Sequence, residues 1–327
     1  MAINTKVILL ILLAGVFLVS GCVTPQAEKK ISDFGFLGGD NALELKFLPQ
    51  QPPDKIPETA QFDIALSVEN VGEHTIDLGK LVIEGLDATS YSLIVPKNNK
   101  LEPGSSQDIL NLVKAQKITS PEGGSSIVPG GQDIIIFGET APKVLVTQPS
   151  PATIRATALY EYETIAVTIV CLKESVLRQT IGDELCKVSE KKPTTTSAGP
   201  IKINSVEQTI SGLLIEIQNI GDGNPFVRTS HIYDADLPGN IDSFGELNHI
   251  DLVTAEIGAG NAKLDCKLIN DVRTIRLGPE GKAQISCTTD FKDVKGEFTD
   301  TLILKFKYGY KQSITTQITV TDVPGLN

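Results

Sequence analysis

Residues 62–72 read FDIALSVENVG, and this stretch decides the fold class. An apolar side chain stands at every second position from Phe62 to Val68, with more polar side chains between them. This two-residue period is typical of a β-strand that buries one face. The stretch ends in Asn-Val-Gly at 70–72, and because Asn bonds to nearby backbone and Gly accepts a positive φ, the ending predicts a turn.

The same pattern recurs 149 residues later, where residues 213–221 read LLIEIQNIG and end in Asn-Ile-Gly. Two further pairs of motifs keep nearly the same offset, 150 and 148 residues: Pro129-Gly130-Gly131 with Pro279-Glu280-Gly281, and Tyr160-Glu161-Tyr162 with Tyr308-Gly309-Tyr310. Three anchors in one order at nearly constant spacing predict a duplicated domain of about 130 residues.

Each half combines short strand patterns with turns rich in Pro and Gly and shows little helical periodicity. This pattern predicts an all-β chain with two tandem Ig-like antiparallel β-sandwich domains, at residues 41–175 and 200–327. Residues 176–199 are charged and then Thr-rich, and we interpret them as a disulfide-clipped linker between the domains. Residues 107–119 fit either a short helix or a strand.

The clearest single strand is predicted at residues 301–310, where Tyr308 and Tyr310 share the apolar face. Tyr160 and Tyr162 take the same place in the first half. Because these tyrosines belong to the repeat, we expect them to pack in the core or at its edge and to cap hairpins in both domains. Lining a ligand site is the alternative.

An unbroken apolar run of 13 residues extends from Val7 to Val19. Its length matches a signal-peptide core and is short of the ~20 residues that span a bilayer. The four residues VSGC at 19–22 resemble the lipobox of prokaryotic lipoproteins. The resemblance implies that a peptidase removes residues 1–21 and that the thiol of Cys22 carries a diacylglyceryl lipid.

Two acyl chains anchor a protein stably where one is marginal, so the mature chain is expected to be held on the outer face of the membrane. Residues 22–40 contain Pro and Gly and are predicted to form the lipid-anchored stalk. The alternative is an uncleaved membrane helix, which also places the remaining chain outside the cell.

Four cysteines remain once Cys22 is lipidated, and an even number in an exported chain predicts two disulfides. Three connectivities are open. We favour Cys171–Cys186 and Cys266–Cys287, because each pair closes a short loop within one region. Metal binding by these cysteines is the alternative, but it lacks the usual CxxC spacing and nearby His.

The net charge of −11 is spread over both predicted domains, whereas a phosphate backbone needs a basic surface. Nucleic acid is therefore not expected as a partner. The chain has no GxSxG, HExxH, P-loop or GxGxxG motif. These observations predict a protein without a cofactor that is not an enzyme.

The strongest concentration of potential ligands is the stretch 231–251. Its residues Asp234, Asp236 and Asp242 resemble a calcium loop, but Pro238 departs from that pattern. We interpret the stretch as a solvated acidic loop, with Ca²⁺ as a weaker hypothesis. A transition metal held by the two histidines of this stretch is weaker still.

The two strand endings, VENVG at 68–72 and IQNIG at 217–221, resemble the signature of prokaryotic extracellular Ig-like modules of the CARDB type. The chain also resembles archaeal surface lipoproteins. The likeness implies an Ig-like fold, a place outside the cell and a role related to cell adhesion. It brings no catalytic residues with it.

The predicted function is that of a non-catalytic, membrane-anchored extracytoplasmic protein that serves as a structural or adhesion module. Its expected partners are the membrane, through the lipid, and an envelope or cell-surface protein. The alternative is a ligand-binding lipoprotein of an envelope transport system. An exported hydrolase of unfamiliar type is a third hypothesis.

Overall fold

A computed structural model of the chain describes residues 35–87, 89–92, 106–120, 122–143, 145–173, 186–210, 212–227, 245–258, 262–267, 274–288 and 295–323. Within these ranges the chain is all-β, and its sheets are antiparallel apart from one short parallel pair, consistent with a β-sandwich, so the predicted all-β class is confirmed. None of the described residues forms a helix long and apolar enough to cross a membrane.

The first half of the chain forms its strands where apolar and polar residues alternate. In the strand 62–70, for example, Phe62 is 5% exposed and Val68 is fully buried, as the period predicts. The strands of this half are β1 (Leu43–Phe47), β2 (Lys55–Pro57), β3 (Phe62–Asn70), β4 (Ile76–Glu84), β5 (Tyr91–Ser92), β6 (Ser106–Leu112), β7 (Gln116–Thr119), β8 (Ser125–Val128), β9 (Gln132–Pro142) and β10 (Ser150–Lys173).

The second half repeats this organisation, and the alternating residues Leu213 and Ile217 are again buried. Its strands are β11 (Glu190–Lys192), β12 (Thr194–Thr196), β13 (Ile201–Thr209), β14 (Gly212–Asn219), β15 (Asn224–Phe226), β16 (His249–Ile257), β17 (Ala262–Lys263), β18 (Asp265–Lys267), β19 (Thr274–Arg276), β20 (Lys282–Thr288) and β21 (Glu297–Thr321).

Each half builds one smaller sheet around the strand that ends in the Asn-x-Gly motif. The first sheet has the order β1-β3-β9-β5, and the second has the order β11-β13-β14-β20-β18. In the first sheet the Asn-ended strand β3 lies between β1 and β9, and in the second sheet β14 lies between β13 and β20. The strands β9 and β20 are the ones that follow the Pro-Gly motif of each half. The repeat seen in the sequence is therefore also a repeat of strand pairing.

A ten-stranded sheet joins the two halves. All 24 residues of β10 pair with β21 in antiparallel register, with Tyr160 opposite Tyr310 and Tyr162 opposite Tyr308. Its central order is β17-β16-β21-β10-β4-β6, so strands from both halves share one set of hydrogen bonds. Residues 34–327 consequently form one compact unit.

The main core lies on one face of this large sheet, and a smaller buried cluster of Val82, Leu159 and Phe226 lies apart from it. Paired residues of an antiparallel sheet point to the same side, and the buried apolar residues at even-numbered positions of β10 and β21 belong to a single hydrophobic cluster. The same cluster contains buried residues from both smaller sheets, such as Leu66 of β3 and Ile215 of β14. The opposite face carries ion pairs between the strands, with Glu161 bound to Lys307 at 3.2 Å.

The structure decides one open sequence prediction, for residues 107–119, and corrects another, for the linker 176–199. The segment 107–119 forms strands β6 and β7, which resolves the choice between helix and strand. The predicted linker 176–199 is not a free connection over its second part, because β11 pairs with β13 and β12 pairs with β10. For β12 the physical reason is that its three β-branched threonines pack well on a pleated sheet edge. Residues 174–185 of the linker lie outside the described residues.

Candidate functional site

The Asn-x-Gly turn of the first half is held by the buried side chain of Asn70. Its Nδ2 donates to the carbonyl oxygens of His74 at 2.9 Å and Leu112 at 2.8 Å. Its Oδ1 accepts from the backbone N–H of Gly72 at 3.0 Å. Every polar atom of this amide is used, which is the requirement for burying it without a desolvation penalty. Asn70 therefore fixes both the turn and its contact with β6.

Asn219 does the same at the turn of the second half. Its Nδ2 donates to the carbonyl oxygen of Gly223 at 2.8 Å, and its Oδ1 accepts from the hydroxyl of Tyr310 at 3.1 Å. Both asparagines thus donate to the carbonyl four residues further along the chain. The motif has a structural role in both halves.

A tyrosine hydroxyl from the long strand of each half completes the turn. The hydroxyl of Tyr162 accepts from the backbone N–H of His74 at 3.1 Å and donates to the carbonyl of Ala198 at 2.8 Å. The hydroxyl of Tyr310 accepts from the backbone N–H of Gly223 at 3.0 Å. In each half the amide four residues after the asparagine is therefore held by a tyrosine about ninety residues away in sequence.

The glycine of each motif is required by this tyrosine. A Cβ built on Gly72 would overlap the hydroxyl of Tyr162, and a Cβ built on Gly221 would overlap the hydroxyl of Tyr310. No side chain is therefore compatible with the observed turn at either position. The Gly of the motif is explained by a close approach, and not by the positive φ that the sequence predicted.

The four tyrosines of the repeat form one buried cluster at the junction of the halves. Ring centroids of Tyr160 and Tyr310 are 5.9 Å apart, and those of Tyr162 and Tyr308 are 6.1 Å apart. Burial raises the pKa of Tyr310 to about 12 and raises the pKa of the other three as well. The prediction that these tyrosines pack in the core is confirmed. The turns that Tyr162 and Tyr310 hold connect strands of different sheets, so they are not the hairpins that the sequence predicted.

The sequence reasoning missed that the tyrosine and the Asn-x-Gly turn are one device. A signal was present, because the two motifs recur with offsets of 149 and 148 residues. Parts of a repeat that contact one another must keep a common offset, although a common offset alone does not identify the contact.

A cleft of about 260 Å³ lies beside the first turn. It is lined by residues of five segments: Gly35, Phe36, Glu73, His74, Lys114, Ala115, Gln116, Lys117, Glu163, Ile165 and Ser197. The lining mixes both signs of charge.

Glu73 shows what the polar groups of this cleft do. Its two carboxylate oxygens accept from the backbone N–H of Leu37 at 2.8 Å and from that of Ala198 at 2.6 Å. Ser197 is similarly engaged, since its hydroxyl oxygen accepts from the backbone N–H of Ile165 at 3.0 Å. These groups fasten chain segments to the body, so the predicted stalk is already held against it at Leu37.

His74 is the titratable group of the cleft with the clearest shift. Its ring packs edge-on against Tyr162, with centroids 5.4 Å apart. Burial lowers the pKa of His74, while the charges of Glu163 and Asp77 oppose that effect. The side chain is therefore favoured in its neutral form in the folded protein.

A second cleft, of about 380 Å³, contains Asp87, Ser90 and Tyr91. Asp87 accepts from the backbone N–H of Thr89 at 3.0 Å and from that of Ser90 at 2.8 Å. Hydrogen bonds from these two residues lower the pKa of Asp87 to about 2. The carboxylate closes a local turn, an arrangement common at strand ends.

Both predicted cysteine pairs lie at bonding distance. Cys171 and Cys186 have an Sγ–Sγ distance of 2.00 Å, and Cys266 and Cys287 have one of 2.09 Å. The second pair stands at directly opposed positions of β18 and β20. In the first pair, the side chain of Gln208 accepts from the N–H of Cys171 at 2.8 Å and donates to its carbonyl at 2.6 Å.

One group of metal-ligating residues comes together within the described ranges: Cys171, Cys186 and Glu297. Its two sulfur atoms are bonded to each other, so they offer no thiolate to a metal. The group is better explained by structure, since Glu297 accepts from the backbone N–H of Cys186 at 2.9 Å.

Several predicted site residues lie outside the described residues. These are the lipid-attachment residue Cys22 and the calcium candidates Asp234, Asp236 and Asp242. From the same acidic stretch the structure describes Asp251, which accepts from the hydroxyl of Thr274 at 2.6 Å. The calcium hypothesis therefore stays a prediction.

Comparison of the chain with protein-family models and with curated protein sequences finds no match. The functional interpretation therefore rests on the sequence and on the structure of the described residues.

The glycine contacts predict a large effect of a single methyl group. Gly72→Ala and Gly221→Ala should each lower the free energy of unfolding by about 1–3 kcal/mol or more, because the tyrosine hydroxyl or the turn must move. Gly124→Ala is the matched control, since a Cβ added to Gly124 would meet no atom within 4 Å. Urea unfolding measures the free energy of unfolding of all three variants. Equal values would refute the close approach of the tyrosine hydroxyl to each glycine.

The hydroxyl contacts make a separate prediction. Tyr162→Phe and Tyr310→Phe should each lower the free energy of unfolding by about 1–3 kcal/mol, because a buried backbone N–H loses its acceptor. Tyr91→Phe is the control and should cost less than about 0.5 kcal/mol, as its hydroxyl bonds to no described residue. Thermal and urea unfolding of the three variants provide the test. Losses at Tyr162 and Tyr310 no larger than that at Tyr91 would contradict the role of the two hydroxyls in holding the turns.

The burial of His74 predicts a dependence of stability on pH. In the unfolded chain its pKa is the ordinary 6.5, and in the folded protein it is lower. The unfolded state therefore binds more protons as the pH falls through 6.5, and folding stability decreases. His74→Gln should weaken the decrease just below that pH, as measured by urea midpoints at a series of pH values. An unchanged pH dependence would show that His74 does not titrate in this way.

Proposed function

We propose that this chain is a non-catalytic, lipid-anchored protein of the extracytoplasmic face of the membrane, which acts as a structural or adhesion module. The observation that carries the proposal is the VSGC sequence at 19–22, directly after an apolar run of 13 residues. An apolar run of that length delivers a chain to export, and the cysteine at its end is the residue that the lipidating enzyme modifies.

The two disulfides support a place outside the cytoplasm. Disulfides persist in oxidising compartments and are rare where thiols are kept reduced. Cys266–Cys287 links the neighbouring strands β18 and β20 of the second half. Cys171–Cys186 links the end of β10 to the start of the second half.

The use of polar residues supports a structural role. The motifs that stand out in the sequence are engaged in holding turns: Asn70 and Asn219 through their amides, and Tyr162 and Tyr310 through their hydroxyls. A body built in this way presents rigid strands and turns to a partner, as adhesion and envelope-assembly modules require.

A ligand-binding lipoprotein of an envelope transport system is the alternative. Such proteins usually have two α/β lobes, whereas the regular elements among the described residues of this chain are all strands. The fold therefore favours the structural or adhesion role, with an envelope or cell-surface protein as the expected partner.

The proposal is tested by the mass and location of the mature polypeptide. The native chain should begin at Cys22, carry two acyl chains and sediment with membranes. Cys22→Ser removes the thiol that accepts the lipid, so this variant should lack the acyl mass and retain residues 1–21. Val23→Ala is the matched control and should be processed like the native chain. A native chain that begins elsewhere, or that fractionates with the cytosol, would overturn the proposal.

A further inference from the structure

The hairpin of β7 and β8 carries three exposed large apolar side chains on two short strands. It forms a two-stranded sheet of its own. Ile118 is 51% exposed, Ile127 is 68% exposed and Val128 is 42% exposed. We refer to these three residues and the strands that carry them as the apolar hairpin.

Water is a poor environment for such an element. A two-stranded hairpin is at best marginally stable by itself, and clustered exposed apolar side chains mark surfaces that contact a membrane or a partner. The two faces of the hairpin are both apolar in part, because Val128 is opposite Gln116 while Ile127 is opposite Lys117 and points to the other side. An occupant that surrounds the hairpin fits this distribution better than one that covers a single flat face.

The hairpin lies close to Gly35, where the described part of the chain begins, and this position indicates the membrane as the occupant. Gly35 and Phe36, where the described chain begins, line the same cleft as Lys114 and the first strand residue of the hairpin, Gln116. Cys22 precedes Gly35 by 13 residues, which reach at most about 45 Å when fully extended. A lipid on Cys22 therefore keeps the base of the hairpin within that distance of the bilayer.

The charge of the hairpin agrees with this placement. The whole chain carries a net charge of −11, but the stretch 113–128 contains Lys114 and Lys117 against a single acidic residue, Glu122. Lysines beside exposed apolar side chains are typical of segments that lie in the membrane interface, where the ammonium groups stay among the headgroups.

We infer that the apolar hairpin inserts Ile118, Ile127 and Val128 into the interface of the membrane that anchors the chain. The insertion forms a second attachment beside the lipid and fixes the orientation of the body, with the first half facing the bilayer. This inference rests on the proposed function, since the lipid on Cys22 supplies the proximity.

The absence of Trp from the chain allows a direct test, because one introduced Trp is the only indole in the protein. Ile127→Trp places the reporter on the hairpin. Ile210→Trp is the matched control, as Ile210 is also an exposed isoleucine at 56%, on the β13–β14 turn of the second half. Ile118→Trp is a second hairpin reporter in case the first variant fails to fold. The acylated full chain is reconstituted into phosphatidylcholine vesicles with a minor fraction of phosphatidylglycerol, with and without brominated acyl chains.

Brominated lipid should quench the fluorescence of the Ile127→Trp variant at least about twofold more than that of the Ile210→Trp variant, because bromine quenches an indole that lies among the acyl chains. The emission should shift to the blue for the hairpin variant only. An acylated Ile127→Trp chain whose indole stays exposed to water overturns the hairpin inference and leaves the lipid anchor standing.

Two further outcomes are distinguishable from these. A blue shift without quenching by brominated lipid means that a second copy or another protein covers the hairpin, and it also overturns the inference. A chain without acyl mass in the same preparation overturns the proposed function instead.

Discussion

The pairing of β10 with β21 is the constraint on which the rest of the molecule depends. It runs over all 24 residues of β10 and brings the two tyrosine pairs face to face at its middle. Glu161 and Gly309 occupy the same place in the two repeats and also stand directly opposite each other. The equivalent segments of β10 and β21 are thus related locally by an approximate two-fold axis through this pair.

Tyrosines of β10 and β21 connect the paired strands to both Asn-x-Gly turns. Tyr162 and Tyr310 each hold the turn of their own half through the hydroxyl while their rings pack against a tyrosine of the other half. A change in the register of β10 and β21 would therefore move both turns and the cleft beside His74. The glycine at each turn follows from the same contact, because the hydroxyl occupies the space of a side chain.

The local features of this fold were predictable from the sequence, and the connection between the halves was not. The alternation in 62–68 and 213–217 identifies the buried faces, and the repeat identifies the tyrosines as packing residues. The cysteine pairs follow from short loops. The pairing of β10 with β21 is different, because many long strands share the same period and only three-dimensional packing selects their partner and register. The predicted linker failed in part for the same reason, since Thr194–Thr196 becomes a strand only because an edge of β10 is available to it.

The proposed role and the inferred membrane contact both use this rigidity. A lipid alone leaves the orientation of a protein open, whereas a body whose halves share one sheet presents a fixed surface once a second point is attached. Glu73 holds the chain at Leu37 beside the cleft, so the proposed lipid anchor and the inferred hairpin contact would act on the same end of the first half.

The central claim, that the two halves fold as one unit through β10 and β21, is tested most directly by differential scanning calorimetry of the mature chain in detergent. A single cooperative unit predicts one transition in which the van't Hoff enthalpy equals the calorimetric enthalpy. Two transitions, or one transition with a calorimetric enthalpy about twice the van't Hoff value, would show that the halves unfold independently and would contradict the claim.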